Sequence, residues 1–199
     1  ELWLKILKLP LPRDRAALRP VLVLNDEDRG AARKLAQARG AIGLNPGAGS
    51  RWPAKQISPA KAARLLDALR IFKRPRMLFG GADEADRNAE IIKAASPGLV
   101  DPGVSHDLRS FAALIELCEV VISTDSLAFH IATALGKKAV VLVGPTSASE
   151  LDVFGKGRKS VPVGGCECFY RPQCRREESC LETLSEENVL DAVASLLVR

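Results

Sequence analysis

An acid, a hydroxyl and a histidine stand close together in the second half of this sequence, as Asp125, Ser126 and His130. They follow one apolar run, residues 120–123, and precede another, residues 139–143. A carboxylate accepts hydrogen bonds, and a hydroxyl or an imidazole can also donate them, so the group suits a polar ligand. Where a buried strand turns into a helix, such side chains lie at the edge of an open parallel sheet where ligands bind. The stretch therefore predicts a ligand site.

Three further strand candidates end in turns of similar character, at residues 46–55, 80–84 and 144–147. Glycines in such turns let backbone N–H groups approach a phosphate, and helix N-termini add partial positive charge. Lys55 or Arg51 would supply a countercharge. Because parallel strands bring these turns to one edge, the four turns together predict a nucleotide-type site.

Each of these residues also has an ordinary structural interpretation. Asp125 can cap the helix that follows it. His130 lies near the apolar stripe of that helix, where a histidine is commonly a core residue, and Lys55 can be solvated. The glycine pairs are common in turns of every kind. The convergence of all four turns on one edge favours the ligand site over these separate interpretations.

Strand and helix candidates alternate along the chain, and the strands are continuous apolar runs. This pattern is typical of a parallel sheet that is covered by helices on both faces, and it predicts an α/β fold. The predicted strands are residues 42–45, 77–79, 120–123 and 139–143. The predicted helices are residues 26–39, 58–69, 83–95, 107–115, 128–135 and 185–198. Ser58, Asp107 and Ser185 are predicted N-caps, and Leu108 and Phe111 are predicted to lie on the apolar face of the helix over residues 107–115.

The composition of the 199 residues fits a soluble globular domain, with 47% hydrophobic residues and a net charge of +5. Aromatic residues make up only 5%, which argues against single-stranded nucleic acid as a partner. No apolar run approaches the roughly 20 residues of a membrane-spanning helix. The first residue is Glu1, so we expect that a further segment precedes the chain. Residues 1–8 read as a short amphipathic helix in a connector, residues 1–20.

Four of the five cysteines fall within fifteen residues near the C-terminus. In a reducing cytoplasm such a cluster indicates a structural zinc or an iron–sulfur cluster more than disulfides. Its spacing matches no standard Cys-x2-Cys ribbon, so free thiols or oxidised pairs are the alternative. The candidate metal ligands are Cys166, Cys168, Cys174 and Cys180.

The motifs together resemble glycosyltransferase family 9, the bacterial lipopolysaccharide heptosyltransferases. The resemblance rests on residues 45–49 with 52–55, on Asp125-Ser126 with His130 five residues after the acid, and on residues 143–146. It extends from residue 42 to the C-terminus and includes the cysteine-rich segment. Members of this family have two Rossmann-like domains that face a cleft, the GT-B architecture. The N-terminal domain holds a lipid-linked acceptor and the catalytic carboxylate, and the C-terminal domain holds a nucleotide-sugar donor.

The resemblance implies that this chain is the C-terminal half of such an enzyme. Residues 1–20 would be the interdomain connector and residues 21–199 the donor-binding domain, with the cysteine-rich segment 166–180 and the closing helix 185–198. The N-terminal acceptor domain would be absent. The catalytic base would lie in that absent domain, so this chain alone would bind the donor without catalysing the transfer. The implied reaction is an inverting transfer of heptose from ADP-heptose onto lipopolysaccharide core, with no metal required.

The resemblance also implies a role for each site residue. Lys55 would meet the donor phosphates, and Asp83 or Glu84 the ribose hydroxyls. The backbone N–H groups of Ser126 and Leu127 would cradle the pyrophosphate. Asp125 would contact the sugar or diphosphate, and His130 would orient that loop or the leaving group. The full set of donor-binding candidates is Gly47, Ala48, Gly49, Lys55, Asp83, Glu84, Asp125, Ser126, Leu127, His130, Gly144, Pro145 and Thr146.

Two residues depart from the family pattern. Leu127 stands where a glycine is usual, and the aromatic residue that usually follows the motif lysine is missing, since Gln56 and Ile57 follow Lys55. The implied partners are the nucleotide sugar and a lipid-linked saccharide acceptor that the missing domain binds, with no nucleic acid. The implied location is the cytoplasm of a Gram-negative bacterium, with peripheral contact to the inner membrane.

Two other functions fit parts of the sequence. A UDP-sugar enzyme on a similar scaffold, such as an epimerase, would need acid and base groups in this chain, and His106 with Asp107 are the candidates. A non-catalytic module would bind a metal through its cysteines and a partner or anionic lipid through its basic surface. Loss of nucleotide binding on mutation of Lys55 or Asp125 would separate the donor-binding function from this module.

Overall fold

The computed structural model describes residues 18–198, in which strands and helices alternate. The predicted helix over residues 1–8 and most of the connector lie outside the described residues. The strands are β1 (Ala41–Asn45), β2 (Arg76–Leu78), β3 (Leu99–Val100), β4 (Cys118–Thr124), β5 (Lys138–Leu142) and β6 (Gly157–Ser160). The α-helices are α1 (Gly30–Arg33), α2 (Pro59–Ala68), α3 (Ala85–Ala94), α4 (Leu108–Glu116), α5 (Leu127–Ala134) and α6 (Glu186–Leu197).

The strands of the described range form one parallel sheet in the order β3-β2-β1-β4-β5-β6. The chain moves outward in one direction from β1 and in the other from β4. In open α/β sheets, ligands bind outside the carboxyl ends of the strands at such a reversal. The predicted parallel α/β fold is confirmed, and the reversal marks the edge where the site should lie.

The sheet is buried on both faces, which explains why its strands are continuous apolar runs. Ile122 packs into the core formed with α2, α3 and α6, whereas Val121, its neighbour in β4, packs into the core formed with α1, α4 and α5. Successive strand residues point to opposite faces, so a strand with a core on each side needs apolar residues at every position.

Helix starts follow the predicted caps. The hydroxyl of Ser58 accepts from the backbone N–H of Lys61 at the start of α2. Asp107 accepts from two backbone N–H groups at the start of α4, and Ser185 caps α6 in the same way. These side chains satisfy N–H groups that the helix itself leaves unpaired.

The predicted helix over residues 26–39 is wrong. Only the four residues of α1 are α-helical there, followed by a short 3₁₀ turn. Asn25 and Asp28 exchange hydrogen bonds, each side chain accepting from the other's backbone N–H. This closed turn fixes the backbone before Gly30, which is itself a poor helix former.

Two edge strands were missed in the sequence, β3 and β6. β6 contains Arg158 and Lys159 and lacks the apolar run from which a strand could be predicted. Its first residue, Gly157, lies so close to β5 that a Cβ would collide with the carbonyl oxygen of Ala139. Close backbone approach, not hydrophobic patterning, brings this strand into the sheet.

None of the helices within residues 18–198 combines the length and apolar character that crossing a bilayer requires.

Candidate functional site

A cavity of about 490 Å³ opens at the carboxyl ends of β1, β2 and β4, beside the reversal of strand order. This is within the size range of small-molecule sites. Seven of the predicted site residues line it: Gly47, Ala48, Gly49, Asp83, Glu84, Ser126 and Leu127.

The glycine loop after β1 is held by hydrogen bonds from three directions. The carbonyl oxygen of Gly47 accepts from Asn45 Nδ2 at 2.7 Å and from Thr124 Oγ1 at 2.9 Å. The carboxylate of Glu84 accepts from the backbone N–H groups of Gly49 at 3.1 Å and Gly81 at 2.6 Å. A Cβ on Gly47 would collide with Glu84 Oε1, so a larger residue there would displace the carboxylate or the loop. The loop is therefore a preorganised wall of the cavity.

Helix α5 begins at the cavity without a side-chain cap. Its N-cap residue is Ser126, whose hydroxyl bonds Asn45 Nδ2 at 3.1 Å and Ser123 Oγ at 2.9 Å rather than the helix backbone. Of the described residues, none caps α5 through its side chain, in contrast to α2, α4 and α6. The first-turn N–H groups thus stay open to an anion, which the helix dipole also favours.

A charged cluster adjoins the cavity beyond Ser126. Asp125 Oδ2 accepts from Lys55 Nζ at 2.5 Å and from Thr146 Oγ1 at 2.6 Å, and Oδ1 lies 3.5 Å from His130 Nε2. The hydrogen bond from His130 holds the pKa of Asp125 well below its usual range, with further contributions from Lys55 and Thr146 that outweigh burial. The carboxylate is therefore ionised at neutral pH.

Lys55 is positioned by a second contact. Its Nζ lies 5.0 Å from the centre of the Trp52 ring, a cation–π arrangement. Side-chain exposure is only 18% for Lys55 and 11% for Asp125, so the pair is largely withdrawn from water. Screening by solvent is correspondingly weak, which strengthens any interaction with a second charged group.

Gly144 and Pro145 line neither the cavity nor the charged cluster. A Cβ on Gly144 would press on Leu181 and on the carbonyl oxygen of Ala54, at 3.2 and 3.4 Å. The carbonyl oxygen of Pro145 accepts from the backbone N–H of Tyr170 at 2.9 Å. Both residues are buried, and they directly precede Thr146, whose hydroxyl donates to Asp125.

Sequence reasoning missed several residues of the site. Asn45 and Thr124 end their strands as polar residues, and only that position hints at their role in bracing the loop. Val104, Leu108 and Phe111 form an apolar part of the cavity wall. Leu108 and Phe111 were predicted on the apolar face of α4, a pattern that does not distinguish core from cavity.

The acid and base groups that a UDP-sugar enzyme would need are engaged elsewhere. His106 lies on the cavity wall, but its Nε2 is 2.7 Å from the carbonyl oxygen of Pro102. Asp107 caps α4 through its carboxylate. These contacts are structural, and Asp107 is the N-cap of α4.

The predicted metal ligands of the cysteine-rich segment are free thiols in this structure. Within residues 18–198, no group of three or more His, Cys, Asp or Glu side chains has an arrangement that could hold a metal ion. Instead, Cys168 Sγ lies 3.5 Å from Cys174 Sγ, and Cys166 Sγ accepts from the backbone N–H of Cys168. All four thiols of the segment, including Cys180, are free. The assignment of Cys166, Cys168, Cys174 and Cys180 as metal ligands therefore stays a prediction.

The strand order and the cavity at its reversal define a Rossmann-like α/β domain. The chain belongs to glycosyltransferase family 9 (heptosyltransferase), whose family model matches residues 3–180.

The chain is similar to several proteins that are named as heptosyltransferases. Lipooligosaccharide heptosyltransferase 2 of Campylobacter jejuni is 23% identical over 167 residues, which cover 78% of this chain and 51% of the relative. The structure of Escherichia coli ADP-heptose LPS heptosyltransferase II superposes with a TM-score of 0.75 at 24% identity, covering 96% of this chain and 56% of that one. E. coli heptosyltransferase WaaC, solved with ADP-2-deoxy-2-fluoro heptose, gives 0.62 at 16% identity, covering 98% and 53%. The chain therefore spans about half the length of these relatives.

Proposed function

We propose that this chain is the nucleotide-sugar donor domain of a glycosyltransferase, and that its donor is an ADP-sugar of the ADP-heptose type. The observation that carries the proposal is the uncapped N-terminus of α5, which faces the cavity beside Lys55. Backbone N–H groups and one lysine together suit a diphosphate. The structures of relatives solved with ADP and with an ADP-heptose analogue support this choice of nucleotide.

The two halves of the cavity differ in polarity, which suggests an orientation for the donor. The apolar wall of Val104, Leu108 and Phe111 suits a flat nucleobase. Asp83, whose carboxylate accepts from Ser50 Oγ at the surface, suits the ribose hydroxyls. Glu84 already accepts two backbone N–H groups, so its main role is to brace the loops.

The proposed diphosphate then lies between the glycine loop, the start of α5 and Lys55. When the sugar leaves the donor, the nucleoside diphosphate gains negative charge. Lys55 and the helix N-terminus would stabilise that charge in place, without reorganising. Asp125 and Thr146 hold the lysine ready for this role, because its ammonium group has three donors and can bond a phosphate while it stays on Asp125.

The acceptor side of the reaction belongs, in this proposal, to a domain outside this chain. That domain would supply the catalytic base for an inverting displacement and would bind a lipid-linked saccharide. The names of the relatives support lipopolysaccharide core as the acceptor class and heptose as the transferred sugar. We accordingly propose a cytoplasmic location with peripheral contact to the inner membrane.

A binding titration of this chain against ADP, UDP, GDP and CMP tests the donor assignment. Selective binding of ADP is expected. Lys55→Ala should weaken it by about 2 kcal/mol, the scale of a hydrogen bond to a charged group, or roughly thirtyfold in Kd.

Lys93→Ala is the matched control, since Lys93 is exposed on α3 away from the cavity. Preference for UDP would keep the site but change the donor. Binding that is equal in wild type and Lys55→Ala would contradict the proposed role of the lysine.

A further inference from the structure

Two thiols of the cysteine-rich segment, residues 166–180, are already in contact. Cys168 Sγ donates to Cys174 Sγ across 3.5 Å, and the backbone N–H of Arg175 donates to Cys168 Sγ at 3.2 Å. A disulfide needs the sulfurs at about 2.05 Å, so the two side chains have only a short distance to close. Cys168 is buried, whereas Cys174 is partly exposed. A reagent in solution can therefore reach the thiol of Cys174 but not that of Cys168, which is buried beside it.

Cys174, the partly exposed thiol of the pair, lines a second surface cavity of about 260 Å³. The five residues that line it are Arg171, Pro172, Gln173, Cys174 and Arg175. Both arginines are exposed and no acidic side chain lines the cavity. Its charge and its thiol match a small anionic molecule with a sulfur to exchange.

We propose that Cys174 is a thiol–disulfide exchange site for an anionic low-molecular-weight disulfide, and that Cys168 is the thiol that completes an internal Cys168–Cys174 bond. In the first step the Cys174 thiolate attacks one sulfur of the incoming disulfide. The S–S bond of the reagent breaks, a mixed disulfide forms on Cys174, and one small thiolate leaves. In the second step the deprotonated sulfur of Cys168 attacks the Cys174 sulfur and expels the second small thiol. The protein loses two thiol protons and two electrons, which reduce the reagent to two thiols.

The exposure of the two sulfurs favours this order of attack. Cys174 is partly exposed and lines the cavity, whereas Cys168 is buried. An incoming disulfide therefore reaches Cys174 first, and Cys168, in contact with Cys174, is placed to attack the mixed disulfide.

The segment that carries these thiols is fastened to both loops of the charged cluster. The backbone N–H of Ala54, next to Lys55, donates to the carbonyl oxygen of Pro172 at 2.9 Å. The backbone N–H of Tyr170 donates to Pro145, next to Thr146. Both anchors lie between the two cysteines in sequence. Closing the disulfide therefore shifts the position of Lys55, and it changes the affinity for ADP, a consequence that rests on the proposed function.

Peptide mass spectrometry after treatment with oxidised glutathione tests the exchange itself. Wild type is expected to yield a peptide pair joined through Cys168 and Cys174. Cys168→Ser, with Cys168→Ala as a second variant, should instead retain one glutathione on Cys174, and Cys174→Ser should yield neither product.

Cys118→Ala is the control for this series. Burial raises the pKa of Cys118 to about 12, so replacing it should leave the products of the reaction with oxidised glutathione unchanged. Modification of Cys166 or Cys180 in preference to Cys174 would overturn the proposal. So would stoichiometric zinc in the purified protein that blocks all four thiols until it is chelated.

The role of the arginines is tested by a change of reagent. Replacing Arg171 and Arg175 by Gln should slow the reaction with oxidised glutathione several-fold and leave that with neutral hydroxyethyl disulfide unchanged. Arg70→Gln, at an exposed position elsewhere, should have no effect. Equal slowing with both reagents would overturn electrostatic recognition of the disulfide.

ADP titrations of the reduced and oxidised wild type test the link to the donor site. A change in Kd is expected in wild type and not in Cys174→Ser. An unchanged Kd in the oxidised wild type would overturn the link. If neither form binds ADP, the proposed donor function fails, while the mass spectra still decide the exchange site.

Discussion

Lys55 and Asp125 are 70 residues apart in sequence, yet Lys55 Nζ lies 2.5 Å from Asp125 Oδ2. The lysine ends the turn after β1 and the acid follows β4, so the pair joins the two strands at which the strand order reverses. Asp125 also accepts from Thr146, which follows β5. One carboxylate thus sets the position of the cation that we propose meets the donor phosphates.

Asp125→Asn should destabilise the fold at neutral pH and lose this effect in acid. The amide leaves part of the network of Lys55, Thr146 and His130 without its charged partner, at a cost of about 1–3 kcal/mol. Because the pKa of Asp125 is lower in the folded state, its carboxylate stabilises the fold above its unfolded pKa of about 3.9. That contribution is lost as the pH falls from there toward the folded value.

Urea unfolding of both proteins at neutral pH and at about pH 3, below the unfolded pKa, measures the difference. The gap between wild type and Asp125→Asn should narrow in acid. A gap that stays constant or widens would contradict the role given to the carboxylate.

Gly47→Ala should destabilise the domain and weaken ADP binding together. The added Cβ collides with Glu84 Oε1, so either the loop or the carboxylate must move. Overpacking of this kind costs about 1–3 kcal/mol. Urea unfolding and ADP titration measure the two effects.

Gly30→Ala is the matched control, since a Cβ there meets nothing within 4 Å. It lies in α1 and should be neutral or stabilising by up to about 1 kcal/mol. Unaltered stability and ADP affinity in Gly47→Ala would mean that the loop is more adaptable than its hydrogen bonds indicate.

Glu84→Gln tests the brace between the two glycine turns. The carboxylate accepts from Gly49 and Gly81, and an amide presents an NH₂ group to one of these N–H donors. Loss of one hydrogen bond to a charged group should cost about 2 kcal/mol, measured by urea unfolding. Glu90→Gln, exposed on α3, the helix that begins directly after Glu84, should change stability little. Equal stability of the two variants would rule out the brace.

Features that depend on neighbouring residues were predictable from the sequence. Ser58, Asp107 and Ser185 each bond an N–H two or three residues ahead, so the sequence carries both partners of each cap. The continuous apolar strands likewise predicted a sheet with two buried faces. The helix over residues 26–39 failed because Asn25 and Asp28 closed a competing turn.

The sequence predicted that distant turns meet at one edge of the sheet, but not which individual side chains bond one another there. Thr124 reaches Gly47 across 77 positions, and Asn45 reaches Ser126 across 81. A hydrogen bond between residues so far apart produces no recognisable pattern in a single sequence. Phe111 shows the same limit in another form, because an apolar helix face looks alike whether it meets a core or a cavity. The cysteines cluster as their spacing suggested and are free thiols, and a metal bound to them stays a prediction.

Leu127→Asp should abolish ADP binding at the proposed anion site without lowering the stability of the fold. Leu127 is the first residue of α5, lines the cavity and is 57% exposed, so its side chain contributes little to the core. An aspartate in the first turn of a helix is stabilising by about 0.3–1 kcal/mol through the helix dipole. The same charge would repel a diphosphate at those N–H groups, so stability should hold or rise while ADP binding is lost. Leu127→Asn, similar in size and uncharged, should retain binding. If Leu127→Asp binds ADP as wild type does, the phosphates do not lie at the start of α5, and the donor must bind the cavity in another orientation.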